Sequence, residues 1–385
     1  MVVHVDVAPE LLRWAVGRAG WDEATVARRA PQLGSWLTGE KRPTLKQLEK
    51  FANATHAPFG SLFLSEPPDE PLPIPDMRTI GNTGVLRPSV DLLDTIYLCQ
   101  RRQDWYRDYA SDNGAEPLGF VGSATLDTPP ARVAGDIAER LDFGVEERQT
   151  YPSKGEVRRG LIDRIENIGV LVMVNGVVGA DTHRKLDPAE FRGFALSDPL
   201  APLIFVNGAD TKAAQLFTLV HELAHIWLGH SALSEAAMDS RGGKAEEQWC
   251  NSVAAQVLLP LHDLRSDYGG QPTNEELDHL AKRYRTSTLV VLKRIFDAGF
   301  LAWDEYTERY RDEYERVMSL VKDKNGDSGG GNYYKTQPLR LSRQFAKAVI
   351  SSTLEGSTTY REAHQLLGTK KHATFEGLAE ELRAA

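Results

Sequence analysis

His221-Glu222-Leu223-Ala224-His225 is the stretch on which the reading of this 385-residue chain turns. Histidines four positions apart lie on one face of an α-helix, so both imidazoles can reach a single metal ion. The glutamate between them is rotated about 100° away, where it can hold a metal-bound water and accept its proton. That combination is the chemistry of a zinc hydrolase, with Glu222 as the catalytic base.

The surroundings agree with a buried helix. Asp210 or Thr211 can cap its start, and Gly229 stands where a left-handed C-terminal residue belongs. Leu216, Leu219, Val220, Leu223 and Trp227 make an apolar stripe along it. Upstream, Pro202 to Val206 reads as a short strand ended by Asn207-Gly208, with Phe191–Leu196 and Ile168–Val174 as further strand candidates. The expected fold class is α+β: mostly helical, with a small sheet packed on the metal-bearing helix.

A catalytic zinc needs three protein ligands and keeps its fourth position for water. His230 fails as the third, because the metzincin pattern wants glycine at 228 and histidine at 231, where Leu228 and Ser231 stand. Glu247 fits better. It opens a helical run, Glu247 to Pro260, in which Asn251 shares its face and can hydrogen-bond a ligand histidine. Glu246 is the alternative, about a third of a turn away and off the face of Asn251. Both glutamates also suit the solvated first turn of an ordinary helix.

Asn207, Phe217–His225 and the run Glu247-x-x-Cys250-Asn251-x-Val253-Ala254 ending Leu258-Leu259-Pro260 together resemble the ImmA/IrrE family of metallo-endopeptidases. The resemblance covers roughly residues 160–300. It implies a gluzincin-like site in which His221, His225 and Glu247 ligate one zinc per chain and Glu222 is the base. It departs at Cys250, where alanine is usual, and at Gln215, where arginine is frequent. It also implies a regulatory protease acting on a repressor or antitoxin-like protein.

Composition bounds the alternatives. Hydrophobic content of 41% and charge of 26% are those of a soluble globular protein. A net charge of −9 argues against broad nonspecific binding to nucleic acid. Cys99 and Cys250 form no CxxC pattern, so neither a disulfide framework nor a cysteine zinc site is indicated. Charged residues in the first twenty positions exclude a secretory signal, and no apolar run reaches membrane-spanning length; a cytoplasmic protein is expected.

Residues 1–64 read as four or five short helices, near Glu10–Arg18, Asp22–Ala30, Gln32–Leu37 and Thr44–Ala52. Trp36 to Thr44 resembles the turn after the recognition helix of phage-repressor-like (XRE) helix-turn-helix domains. Arg28, Arg29, Gln32, Lys41 and Arg42 are the candidate DNA contacts, although Gln32 and Ser35 alone offer polar groups on the reading segment. A protein-interaction module is the competing reading of the same helices.

Prolines mark 65–88 as an extended linker, 89–322 carries the peptidase domain with flanking helices, and Gly-rich 323–332 precedes a small helical module at 333–385. Within 191–196 an edge strand is expected to receive substrate by β-addition. His183, His230 and His262 are candidates for a further donor to the reacting oxygen. The alternative function is a DNA-binding regulator or antitoxin whose zinc domain senses or only supports.

Overall fold

A computed structural model of the chain describes residues 3–77, 88–234, 245–324 and 333–383. It divides into two compact units, Met1–Pro73 with Leu86–Asp94, and Ile74–Val85 with Thr95–Ala385.

In the first unit, helices Pro9–Arg18, Glu23–Arg29, Leu33–Leu37 and Leu45–Thr55 precede a 3-10 turn at Phe59–Phe63. Local chemistry sets the boundaries. Asp22 accepts from the Thr25 amide at 2.8 Å, and Thr44 and Gln47 form a reciprocal capping box. Leu11, Leu12, Leu33, Trp36, Leu48 and Phe51 close a core in which Trp21 and Trp36 both stand edge-on to Phe51. The would-be reading helix is only five residues long and turns Leu33 and Trp36 inward. Arg28, Arg29, Gln32, Lys41 and Arg42 are all exposed. Arg42 pairs with Asp6 at 2.9 Å, and the Gln32 side-chain oxygen accepts from Gln47 at 2.8 Å.

The second unit is built on a four-stranded sheet. In chain order the strands are β1 (Leu171–Asn175), β2 (Val177–Val178), β3 (Asp181–Lys185), β4 (Gly193–Leu196), β5 (Leu203–Asn207) and β6 (Ala232–Ser234). β2 and β3 form a separate hairpin; the main sheet has the order β1-β5-β4-β6. β1 runs parallel to β5, whereas β4 is antiparallel to both β5 and β6. β1, β4 and β5 are buried along their whole length, which explains their unbroken apolar character. The 191–196 segment is therefore not an edge: β4 lies between β5 and β6, because three residues after the motif helix return to the sheet. A single parallel bridge joins Asp76 to Leu233 on the far side of β6.

The motif helix spans Lys212–Leu228, started by the Thr211 side chain and ended by Gly229 at φ 75°. Gly229 is needed twice, since a Cβ there would also meet the Gly122 Cα at 2.9 Å. That close approach lets the Gly122 and Ala124 amides bond the terminal carbonyls of Ile226 and Trp227. At the other end Gln215 donates to Gly208 O at 3.1 Å and Asp210 O at 2.6 Å, and accepts from the buried Arg158. Arg158 reaches it from the neighbouring helix, Lys154–Asn167.

Helix Ala245–Leu258 packs across the motif helix, with Trp249, Cys250, Val253 and Ala254 in the shared core. Its end is fixed by two buried arginines: Arg148 reaches Leu258 O at 2.7 Å and Arg294 reaches Leu259 O at 2.8 Å. The helical module expected at 333–385 opens with two helices, Tyr333–Leu341 and Arg343–Leu354, separated at Ser342. Ser342 takes φ 68°, where its hydroxyl donates to Glu166 and accepts from the Phe345 amide. Both pieces pack on β1. No helix among the described residues is long and apolar enough to cross a membrane.

Candidate metal centre

The motif helix and helix Ala245–Leu258 bring three donor groups together. His221 Nε2 lies 3.2 Å from His225 Nε2 and 3.3 Å from Glu247 Oε2, and His225 Nε2 lies 3.1 Å from Glu247 Oε1. Tetrahedral ligands about 2.0–2.1 Å from a zinc ion are separated by roughly 3.3–3.4 Å. The Nε2–Nε2 distance fits that spacing, each histidine meets a different oxygen of Glu247 at it, and one donor atom from each of the three residues lies within 4.8 Å of the others; nitrogen and oxygen donors suit zinc. Both histidines are fully buried and Glu247 nearly so.

The electrostatics keep Glu247 charged. Burial alone would raise its pKa, but the His221 and His225 imidazoles outweigh this and hold it at about 2. Glu222 behaves in the opposite way. Burial, reinforced by Glu247 and opposed by His225 and Ser234, pushes its pKa up to about 8. Its Oε1 has no hydrogen-bond partner, and its Oε2 lies 3.4 Å from the Ser234 hydroxyl. Two carboxylates at one site are thus driven apart in proton affinity.

Gly193 makes room for Glu222. A Cβ at that position would stand 2.9 Å from Glu222 Oε1, 2.8 Å from Phe205 O and 2.6 Å from Thr218 Cγ2. The Glu222 carboxyl therefore rests directly on the backbone of β4.

Glu246 has a distinct place, off the triangle. Its Oε1 accepts from His225 Nδ1 at 3.1 Å and its Oε2 pairs with His230 Nδ1 at 3.2 Å. With Nδ1–H committed to Glu246, His225 presents the Nε2 lone pair to the triangle. Asn251 is buried one turn beyond Glu247. Of the three further histidines, His230 alone reaches this neighbourhood, through Glu246. His262 is exposed on another helix and His183 on the β2–β3 hairpin. Sequence reasoning missed Ser234, whose hydroxyl is also 3.3 Å from His225 Nε2; one serine after a short apolar pair carries no periodic signal.

Comparison with known proteins agrees with this geometry. Residues 165–296, which contain the whole triangle, match the family described as the IrrE N-terminal-like domain. Residues 341–381 match a domain of unknown function (DUF8813). The chain is 35% identical over 123 residues to the radiation response metalloprotease IrrE of Deinococcus radiodurans, covering 30% of this chain and 36% of that protein. It is 26% identical over 209 residues to the protein of the same name from Deinococcus deserti, covering 49% of this chain and 68% of that protein. The chain thus spans little more than a third of the first relative's length. No solved structure matches. These similarities support a metallopeptidase domain.

Proposed function

We propose that the chain is a zinc-dependent endopeptidase with a regulatory role. His221, His225 and Glu247 would hold one zinc ion, and Glu222 would be the general base. The observation that carries this is the convergence of three buried donors at zinc spacing with a fourth, partnerless carboxylate oxygen beside them. Bound there, zinc would supply an acidified water and polarise the scissile carbonyl. The Glu222 carboxylate, whose Oε1 is buried without a partner, would be the group to accept a proton and to return it to the leaving amine. Glu246 orients His225 and lends its ring basicity. Similarity to metalloproteases named for a radiation response supports a protein substrate, and we infer a repressor or antitoxin-like regulator.

The decisive comparison is wild type against Glu222→Gln, by metal analysis and by cleavage of proteins encoded beside this chain. Glu222→Gln should keep one zinc and the fold while losing proteolysis. Undiminished cleavage by that variant would remove the base from the scheme.

A second reading draws on the first unit. Exposed Arg28, Arg29, Gln32, Lys41 and Arg42 favour a DNA-binding regulator in which the zinc domain is a sensing or structural module. Phosphate contacts would make affinity for DNA fall steeply with salt. Salt-insensitive binding of a protein partner, with no DNA fragment shifted at low salt, decides for a protein-interaction module. The buried carboxylate of Glu222 speaks against a purely structural zinc site, which would be closed by a fourth protein ligand.

A further inference from the structure

A working peptidase must admit water between its base and its metal-ligand atoms, because that water gives its proton to the base. In this chain the position is taken. The Ser234 hydroxyl lies 3.4 Å from Glu222 Oε2, 3.3 Å from His225 Nε2 and 3.5 Å from Glu247 Oε1. Ser234 is fully buried, as are His221, Glu222 and His225, so the chain itself seals the site.

The strand that delivers Ser234 is fastened from both sides. On its inner side β6 pairs with β4, Ser234 opposite Gly193 and Ala232 opposite Ala195. On its outer side the Leu233 amide donates to Pro75 O at 3.0 Å, and Leu233 O accepts from the Met77 amide at 3.0 Å. An extended peptide joining this sheet would need the same two groups of Leu233. Pro75–Met77 already uses them, through a single parallel bridge between Asp76 and Leu233.

We propose that β6 is an internal plug: Ser234 fills the place of the catalytic water, Pro75–Met77 holds the strand down, and cleavage requires β6 to withdraw. The proposal rests on the peptidase reading above. It differs from a role in which Ser234 merely steadies Glu222, because a plug is relieved by its removal and a support is not.

The full-length, zinc-loaded protein tests it with two substitutions. Ser234→Ala removes the hydroxyl, and Met77→Pro removes one amide of the fastening while keeping an extended backbone. Zinc release to excess 1,10-phenanthroline and cleavage of casein are followed, with circular dichroism to verify folding. Each variant should retain one zinc and release it about tenfold faster, the scale of losing roughly one buried hydrogen bond. Casein cleavage should rise in both.

Release from Ser234→Ala at the wild-type rate overturns the plug, as does slower cleavage by that variant. Release from Met77→Pro at the wild-type rate overturns the fastening. If the wild type binds no zinc, or casein cleavage survives Glu222→Gln, the peptidase reading fails and takes the plug with it. If zinc binds and Glu222→Gln abolishes cleavage while both other variants match the wild type, the plug alone fails.

Discussion

Glu246 Oε1 sits 3.1 Å from His225 Nδ1, on the side of the imidazole away from the donor triangle. Adjacent glutamates therefore do different work: Glu247 faces the triangle and Glu246 holds one of its members in the correct tautomer. Glu246→Gln should keep one zinc per chain but weaken its binding by about 10–100-fold, as for other orienting partners of ligand histidines. Glu247→Ala should abolish stoichiometric zinc. Competition titration with a chromophoric chelator reads both, and equal losses would undo the assignment of Glu247 as the third ligand.

Gly193→Ala forces a methyl group toward Glu222 Oε1 and the Phe205 carbonyl. Overpacking of this kind costs about 1–3 kcal/mol. Thermal unfolding should report that loss, while cleavage falls further than stability because the base is displaced. Zinc content should stay near that of the wild type, since the three atoms nearest the added methyl belong to Thr218, Phe205 and Glu222 and to none of the proposed ligands.

Glu166 gives the chain a pH dependence away from the metal. Burial raises its pKa to about 7, against the opposing hydrogen bonds from Ser342 and the Arg343 amide, whereas the free carboxyl titrates near 4.5. The folded state therefore holds the extra proton across that window, so stability falls as pH rises from about 4.5 to 7, by at most ~1.4 kcal/mol per unit. Above 7 the loss is complete and constant. Glu166→Gln does not titrate, so its stability relative to wild type should climb through the window and then level off. Denaturant melts at pH 5, 6, 7 and 8 would show this, and a pH-independent difference would refute it.

Arg148 is fully buried and caps carbonyls from two helices, Leu258 O at 2.7 Å and Tyr284 O at 3.0 Å. Arg148→Met should cost roughly 1–3 kcal/mol for each carbonyl left without a partner. Its effect on zinc affinity should be smaller than that of Glu246→Gln, because it acts at the opposite end of the helix from the ligand. A chelator titration beside a urea melt separates the two quantities.

The motif helix was legible because its signals are local: four-residue spacing, a threonine at its start and a glycine at its end. The strands 171–175, 193–196 and 203–207 were legible as apolar runs, but not their order. Nothing near Phe194 in sequence says that Ala232–Ser234 will come back and cover it. The work of Glu246 was hidden for the same reason, since helical spacing fixes its direction but not what stands opposite. The contact between Gln215 and the Arg158 guanidinium joins residues 57 positions apart, which no window of sequence spans. The split at Ser342 needs Glu166, more distant still.

β1 is an outer strand of the main sheet, and helices Tyr333–Leu341 and Arg343–Leu354 pack against it. On the ribosome those helices emerge well after the sheet and the motif helix, which precede them in the chain. At about 5–20 residues per second, the stretch of chain between β1 and those helices takes on the order of ten seconds to appear. Through that interval the apolar surface of β1 that they cover is offered to any neighbouring nascent chain. Stalled or prematurely ended copies are thus the forms most prone to aggregate, whatever the stability of the finished protein.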